Sequence, residues 1–456
     1  MTASRRTTRR SSPEGGRSRD LALVLAGRTW LEGKIRSIEI GIDEEGTIRA
    51  IGRSLQGAPR HDVGESLLLP SATDLHVHFR DPGRESEPED FATGTLQAAL
   101  GGVGLVADMP NTRPRVDTLD RLRAKEARVQ GRALVDVLLY AAATPRAPID
   151  LLARRAGAFK LYLSPTTDVD EVPTSADLDL LLKRVAATNL PLSVHAENPD
   201  RFDREIEPAN PPDWNRVRPV DAERAAVDSL RRRPRSLRLH VAHVTDATIA
   251  GRLRKEGDSF EATPHHLLLS MRSGDGAKFK VNPPLRSERQ RRALWEAFVR
   301  GAVPCLASDH APHSPDEKQR PFPLAPSGMP NVETMLQLLL ARVRAGDLPL
   351  PVLLAAACDR PARWIGQPRG RIAIGHRADL LVVDFRERRT IAARGLHAPC
   401  GWTAFEGWEG IFPREHYLRG RRIVEGGEFV GDPDGTIVRP EFAPDRSAPQ
   451  PRSITE

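Results

Sequence analysis

Aromatic side chains are scarce in this chain of 456 residues: Phe, Trp and Tyr together supply 5 %, with three tyrosines in all. Recognition of single-stranded nucleic acid rests on aromatic platforms interleaved with cations. That pattern is missing, so a net charge of +7 does not by itself make nucleic acid a partner. Much of the excess sits in the opening "MTASRRTTRRSSPEGGRSRD" and in clusters such as "RRRPR" at 231–235. Cysteine is rare as well. Cys305, Cys358 and Cys400 are widely spaced and odd in number, which argues against a disulfide framework and fits a reducing cytoplasm. No apolar run reaches the ~18 residues that a membrane helix needs, so a soluble protein without a membrane partner is expected. The first twenty residues lack the apolar core of a secretory signal. Rich in Arg and Ser, they carry only a faint likeness to an organellar presequence and are expected to be a disordered basic tail.

What is present is ordinary for a soluble globular protein: 39 % hydrophobic and 28 % charged residues. From Leu21 to about residue 65, "LALVLAGRTW", "SIEIGIDEEG" and "TIRAIG" are short β-like runs separated by Gly and charged turns. From residue 66 to about 360 the pattern changes to apolar runs that end in polar residues: "LLLPSATDLHVHF", "GLVADMPN", "VDVLLYAA", "AFKLYLS", "LPLSVHAEN", "LRLHVAHVT", "FEATPHHL" and "VPCLASDHAPH". Helical stretches such as "DFATGTLQAALGG" and "SERQRRALWEAFVRG" separate several of them. Strands alternating with helices in this number point to an α/β fold, a TIM-type (β/α)8 barrel of ~250 residues. Residues 361–430 return to short β runs, "GRIAIGHRADLLVVDF" and "YLRGRRIVEGGEFV". Neither end makes a stable sheet alone, so both are expected to build one small composite β-sandwich domain beside the barrel. Residues 431–456 are Pro-rich and expected to be loose.

Chemistry in such a barrel sits where the strands end. "DLHVHFRDPG" places His76 and His78 two apart, on one face of a strand. Lys160 lies in the fourth run, His195 ends the fifth, His243 the sixth and Asp309 the eighth. Each alone has a plain structural explanation; six converging on one mouth suggest a metal centre, and imidazoles with a carboxylate suit Zn²⁺ better than Ca²⁺ or Mg²⁺. Burial would strip the proton from Lys160, and a neutral amine can add CO₂ to become a carbamate able to bridge two metals. His240, three residues before His243, is expected to face the other way against the outer helices. His265 and His266 end a run, but nothing assigns them a metal.

With "ADMPNTRP", "KVNPPLR" and "ASDHAPHSPDEK" added, these motifs make the chain resemble the amidohydrolase superfamily and, within it, the class I dihydroorotases, from about Leu21 to Val430. The resemblance implies two Zn²⁺ per subunit. His76, His78 and Asp309 would hold one and His195 and His243 the other, with carboxylated Lys160 and a hydroxide bridging both. It implies that Arg80, Asn111 and His313 bind the substrate α-carboxylate, that Asn282 contacts the ring, and that Ser327 and Gly328 offer backbone groups. Asp309 would take a proton from the attacking hydroxide and pass it to the leaving nitrogen. The implied reaction is the reversible, water-releasing cyclisation of N-carbamoyl-L-aspartate to L-dihydroorotate in de novo pyrimidine (UMP) biosynthesis. Two departures bear on loop geometry: Asn331 stands where members often have Gly, and "HVTD" replaces the more usual "HVS". The alternatives are another cyclic amidase, of allantoinase or hydantoinase type, and an inactive dihydroorotase-like partner of aspartate transcarbamoylase. The full ligand set favours an enzyme. Homo-oligomerisation and association with aspartate transcarbamoylase are left open by the sequence.

Overall fold

Apolar runs that would be buried on both faces form the centre of the chain in a computed structural model, which describes residues 21–31, 33–83 and 89–442. The basic tail, 1–20, and residues 443–456 of the closing segment lie outside the described residues. The outer strands come first: β1 Leu23–Leu31, β2 Lys34–Ile42, β3 Ile48–Gly52 and β4 Arg60–Pro70. Eight barrel strands follow: β5 Ala72–Val77, β6 Val103–Asp108, β7 Asp136–Ala142, β8 Ala158–Tyr162, β9 Leu192–His195, β10 Leu239–Val241, β11 Ser259–Ala262 and β12 Cys305–Leu306. They lie side by side in sequence order and pair in parallel. The ring is nearly closed where His78 N donates to His310 O at 2.7 Å. The expected barrel is thus observed, and among the described residues no helix is long and apolar enough to cross a membrane.

Alternation along each strand separates two cores. Phe159, Leu161, Val194, Val241, Phe260 and Ala262 pack outward with helix residues such as Leu181, Leu253 and Phe298. Leu105, Leu138, Tyr140, Ala158 and Cys305 fill the barrel interior. Lys160, His195, His240 and Glu261 share the inward parity, so the strand pattern sends four ionisable side chains into a space closed to water.

Both chain ends build one composite β domain, as the sequence suggests. Strands β13 Leu380–Val383, β16 Glu415–Leu418, β17 Arg421–Glu425 and β18 Glu428–Phe429 join β1 to β4 in the order β18-β17-β16-β13-β4-β1-β2-β3, and a small ribbon pairs β14 Arg389–Thr390 with β15 Glu409–Gly410. Leu25, Ile40, Leu68, Leu380 and Val382 share its inner apolar cluster. The run "LLLPSATDLHVHF" is two strands rather than one. Leu67–Pro70 pair with β13, and Ser71 donates to Asp379 O at 2.9 Å before β5 begins, so the domain boundary falls near Pro70 instead of residue 65. Sequence periodicity misses this because both halves are uniformly apolar.

The expectation of a loose C-terminal segment is corrected for residues 434–441. Val438 N donates to Val137 O at 2.9 Å, Thr436 N to Asp136 Oδ1 at 3.0 Å, and Val438 joins the barrel-interior cluster. Pro-rich composition hides a short apolar "TIV" that finds unpaired backbone at the barrel's closed end. There the fully buried Arg369 pairs with Asp136 and Asp379 and ties the barrel to the β domain.

The segment bearing His76, His78 and Arg80 is clamped from below by packing. Phe79 meets Phe91 edge-on at 6.0 Å, and its N–H donates to Asp108 Oδ1 at 2.9 Å. Helix α1, Phe91–Leu100, passes over the Phe79 ring at Gly94, where a Cβ would overlap the ring. Gly94→Ala is therefore expected to lose about 1–3 kcal/mol of stability in urea unfolding, through overpacking of a site that cannot relax outward.

Candidate active site

The strand ends deliver the expected side chains to one cavity. His76, His78, His195, His243 and Asp309 line it, as do Arg80, Asn111, Asn282, Ser327 and Gly328. Lys160 lies at its base with Nζ 3.4 Å from His76 Nε2, and His313 stands behind Arg80. Three of these residues leave their strands with left-handed backbone: Arg80 at φ 55°, His243 at φ 37° and Asp309 at φ 47°. Such conformations are unfavourable for side-chain-bearing residues and persist where surrounding contacts impose them, often at functional sites.

Two groups of ligand-type atoms result. Asp309 Oδ1 lies 3.4 Å from His76 Nε2 and 3.3 Å from His78 Nε2, and the three residues can each offer an atom within 4.8 Å of the others. His195 Nδ1 and His243 Nε2 face each other at 2.9 Å. The remote nitrogens are tied down. His76 Nδ1 meets Glu261 Oε1 at 2.6 Å, His78 Nδ1 meets Asn111 Oδ1 at 2.7 Å, and His195 Nε2 meets Glu197 Oε2 at 2.9 Å. An acceptor there fixes the proton on the outer nitrogen and leaves a bare lone pair facing the cavity. The donor set therefore fits a divalent cation that takes imidazole and carboxylate ligands.

Burial sets the charge states. It pushes His76 down to about 4, with the Lys160 charge adding to the effect, and it also lowers His195 and His243, so these imidazoles are neutral as ligands must be. Burial pushes the Asp309 carboxyl up, but the adjacent His76, His78 and His243 hold it well below its ordinary range. Lys160, wholly buried and 5.3 Å from the Tyr162 ring centroid, is pulled down to about 8 by desolvation.

The cavity also holds a buried cation. Arg80 is 4 % exposed; its Nη1 donates to Pro312 O, its Nη2 lies 3.0 Å from His313 Nε2, and its Nε has no partner among the described residues. His313, pushed down to about 3 by burial and by the Arg80 charge, also has Nε2 3.1 Å from Ser327 O. Asn282 is mostly engaged already: Oδ1 accepts from Trp214 Nε1 and Ser327 Oγ, each at 3.1 Å, and Nδ2 donates to Thr166 Oγ1 at 3.1 Å. Asn111 gives one N–H to Thr167 O at 3.2 Å, so each amide keeps one N–H for a bound molecule. In this structure Asn111 is first a partner of His78.

Several residues escape sequence reasoning. His240 does not face the outer helices: its Nε2 lies 2.8 Å from Glu261 Oε2 inside the barrel. Counting parity back from His243 fails because the strand ends at Val241 and the chain turns to φ 37°. Glu197 and Arg218 form a buried pair behind His195, with Arg218 Nε donating to Glu197 Oε1 at 3.1 Å. The spacing in "VHAEN" was the available signal for Glu197; nothing local marks Arg218. Tyr162, Thr166 and Thr167 also line the cavity. His266 bonds Thr263 Oγ1 at 2.8 Å and Pro283 O at 3.0 Å, a structural role; His265 Nδ1 meets Asn331 Nδ2 at 3.0 Å.

The pattern of the Amidohydrolase family matches residues 67–412. The chain is 33 % identical over 416 residues to the dihydroorotase of Thermoplasma acidophilum, covering 91 % of this chain and 97 % of that one. It is 36 % identical over 430 residues to the dihydroorotase of Halobacterium salinarum, covering 91 % and 99 %. Among solved structures, the L-hydantoinase (dihydropyrimidinase) of Arthrobacter aurescens superposes with a TM-score of 0.85 at 24 % identity over 92 % of this chain and all of that one. A D-hydantoinase from Thermus sp. gives 0.82 at 23 % over 92 % and 99 %. At those identities the structural likeness speaks for the fold.

Burial pushes Glu197 up, and Arg218 and His195 hold it well below the usual carboxylate range. Arg218→Met is expected to strand that charge and to destabilise the metal-free protein by about 3–5 kcal/mol in chemical denaturation.

Proposed function

The chain belongs to the amidohydrolase family, and on that premise we propose that it is a dihydroorotase, the cyclic amide hydrolase that interconverts N-carbamoyl-L-aspartate and L-dihydroorotate in pyrimidine biosynthesis. The observation that carries this reading is one cavity holding both a metal-type cluster, His76, His78 and Asp309, and a buried guanidinium, Arg80. Hydrolysing a ring amide needs the first, and retaining a substrate with a free carboxylate needs the second. The relatives that match almost end to end carry the name dihydroorotase, which supports the same substrate.

Two zinc ions are the reading for the centre: His76, His78 and Asp309 would hold one and His195 and His243 the other, with carboxylated Lys160 as a further ligand. The donor set and the neutral buried imidazoles support it. When bound, zinc supplies Lewis acidity and an activated water at neutral pH. The protein does the rest. Arg80 presents a planar fork to the substrate carboxylate, assisted by His313. Asn111 and Asn282 turn their remaining amide N–H groups toward the same ligand. Asp309 Oδ holds the proton released by the attacking water and gives it to the ring nitrogen as the C–N bond opens; ring closure runs the same transfer backwards. Desolvation pulls Lys160 down to about 8, so at neutral pH a larger share of it than of an exposed lysine is the neutral amine that carbamate formation needs. Cys305, Cys358 and Cys400 are buried free thiols, which supports a cytoplasmic setting. Gel filtration alone and with aspartate transcarbamoylase would read assembly with itself or with that enzyme.

The deciding experiment is turnover of L-dihydroorotate, allantoin and hydantoin by the zinc-loaded protein. Preference for dihydroorotate is expected; hydrolysis of another ring amide alone would transfer the assignment to that amide, and zinc binding without any turnover would favour the inactive-partner reading. Asp309→Asn should lower kcat by about 10²- to 10⁴-fold, because an amide cannot relay the proton. Arg80→Lys should raise KM by about 10- to 100-fold with a smaller change in kcat, since a point charge replaces a two-pronged contact. Lys160→Ala should lose zinc and turnover together, read by elemental analysis beside the assay.

A further inference from the structure

Beneath the cavity a line of hydrogen bonds runs inward along the barrel. His76 Nδ1 meets Glu261 Oε1 at 2.6 Å, Glu261 Oε2 meets His240 Nε2 at 2.8 Å, and His240 Nδ1 meets Ser259 Oγ at 2.8 Å. His76, Glu261 and His240 are at most 1 % exposed, so no solvent competes for these contacts. Glu261 Oε1 also accepts the backbone N–H of His243 at 3.3 Å. His243 is the residue whose backbone turns to φ 37° to bring its ring over the cavity.

One carboxylate thus touches a residue from each group, at the outer ring nitrogen of His76 and the backbone N–H of His243. An ionised carboxylate only accepts, so each imidazole nitrogen facing Glu261 carries its proton. For His76 that leaves Nε2 bare toward Asp309 and Lys160. For His240 it leaves Nδ1 to accept from the Ser259 hydroxyl, which anchors the line at its inner end. The contact to His243 offers an acceptor to an N–H that left-handed geometry has taken out of the strand ladder.

We propose that Glu261, anchored by His240, is a positioning residue for both halves of the metal centre: it selects the nitrogen that His76 presents and holds the turn that presents His243. The inference rests on the metal-centre reading above. Carboxylates behind metal-bound imidazoles typically change metal affinity by 10- to 100-fold when removed.

The test is metal affinity rather than turnover alone. Zinc dissociation constants for the full-length wild type, Glu261→Ala and Glu261→Gln would be measured by chelator competition, with absorption spectra of the cobalt-substituted proteins and thermal unfolding of the metal-free forms alongside. Glu261→Ala is expected to bind zinc about 10- to 100-fold more weakly and to alter the cobalt bands. Glu261→Gln, which fills the same space and keeps one acceptor oxygen, should fall between Glu261→Ala and the wild type. It also serves as the test should Glu261→Ala fail to fold. Wild-type affinity and an unchanged cobalt spectrum in a folded Glu261→Ala, or in Glu261→Gln where that alone folds, would overturn the proposal. Failure of the wild type itself to bind zinc would instead remove the metal reading on which it rests.

Discussion

An imidazole has two nitrogens, and one pointed at a metal site leaves the other to be satisfied by whatever lies behind it. In the barrel interior such a partner is built in for three of the four ligand-type imidazoles, because an unmatched buried polar group costs on the order of 1–3 kcal/mol; His243 Nδ1 has none among the described residues. Glu261 behind His76, Asn111 behind His78 and Glu197 behind His195 meet this constraint, and each brings demands of its own. Glu197 needs Arg218, which in turn donates to Ser164 Oγ at 3.1 Å; Glu261 needs His240. The polar network therefore extends well beyond the cavity it serves.

Backbone strain is the second device. Regular strand parity can aim His195 and Lys160 inward, but it cannot aim Arg80, His243 or Asp309, which follow the ends of their strands. Left-handed backbone at these three positions rotates side chains that ideal geometry would send elsewhere. The packing beneath, such as Phe79 against Gly94 and Phe91, is what holds the first of these turns in place.

The outer shell also serves the mouth. Lys280 Nζ donates to Phe322 O at 2.7 Å and Ala325 O at 2.8 Å, and Lys318 Nζ donates to Pro326 O at 2.9 Å. These two buried lysines gather the carbonyls of the loop that carries Ser327 and Gly328, and so shape the wall facing Arg80. At the opposite end, Arg369 with Asp136 and Asp379 closes the barrel against the composite β domain.

The barrel is legible in the amino-acid order alone, because eight apolar runs alternating with helices leave few other ways to bury both faces of a parallel sheet. The six ligand-type residues and Arg80, which the structure gathers at one cavity, were also legible, since chemistry at strand ends leaves a local trace in "DLHVHFRDPG", "AFKLYLS", "VHAEN", "HVAHVT" and "SDHAPH". What stands behind those residues emerges from the folded chain instead. Glu261 lies 185 positions from His76, and Arg218 is 21 from Glu197, separations at which no periodicity operates. The same holds for His240, whose direction depends on where β10 stops, and for residues 434–441, whose apolar "TIV" acquires meaning only when the end of the barrel is there to receive it. Local pattern records which face a residue occupies while a strand lasts; once the chain turns, the partner it meets is set by the packing of the whole.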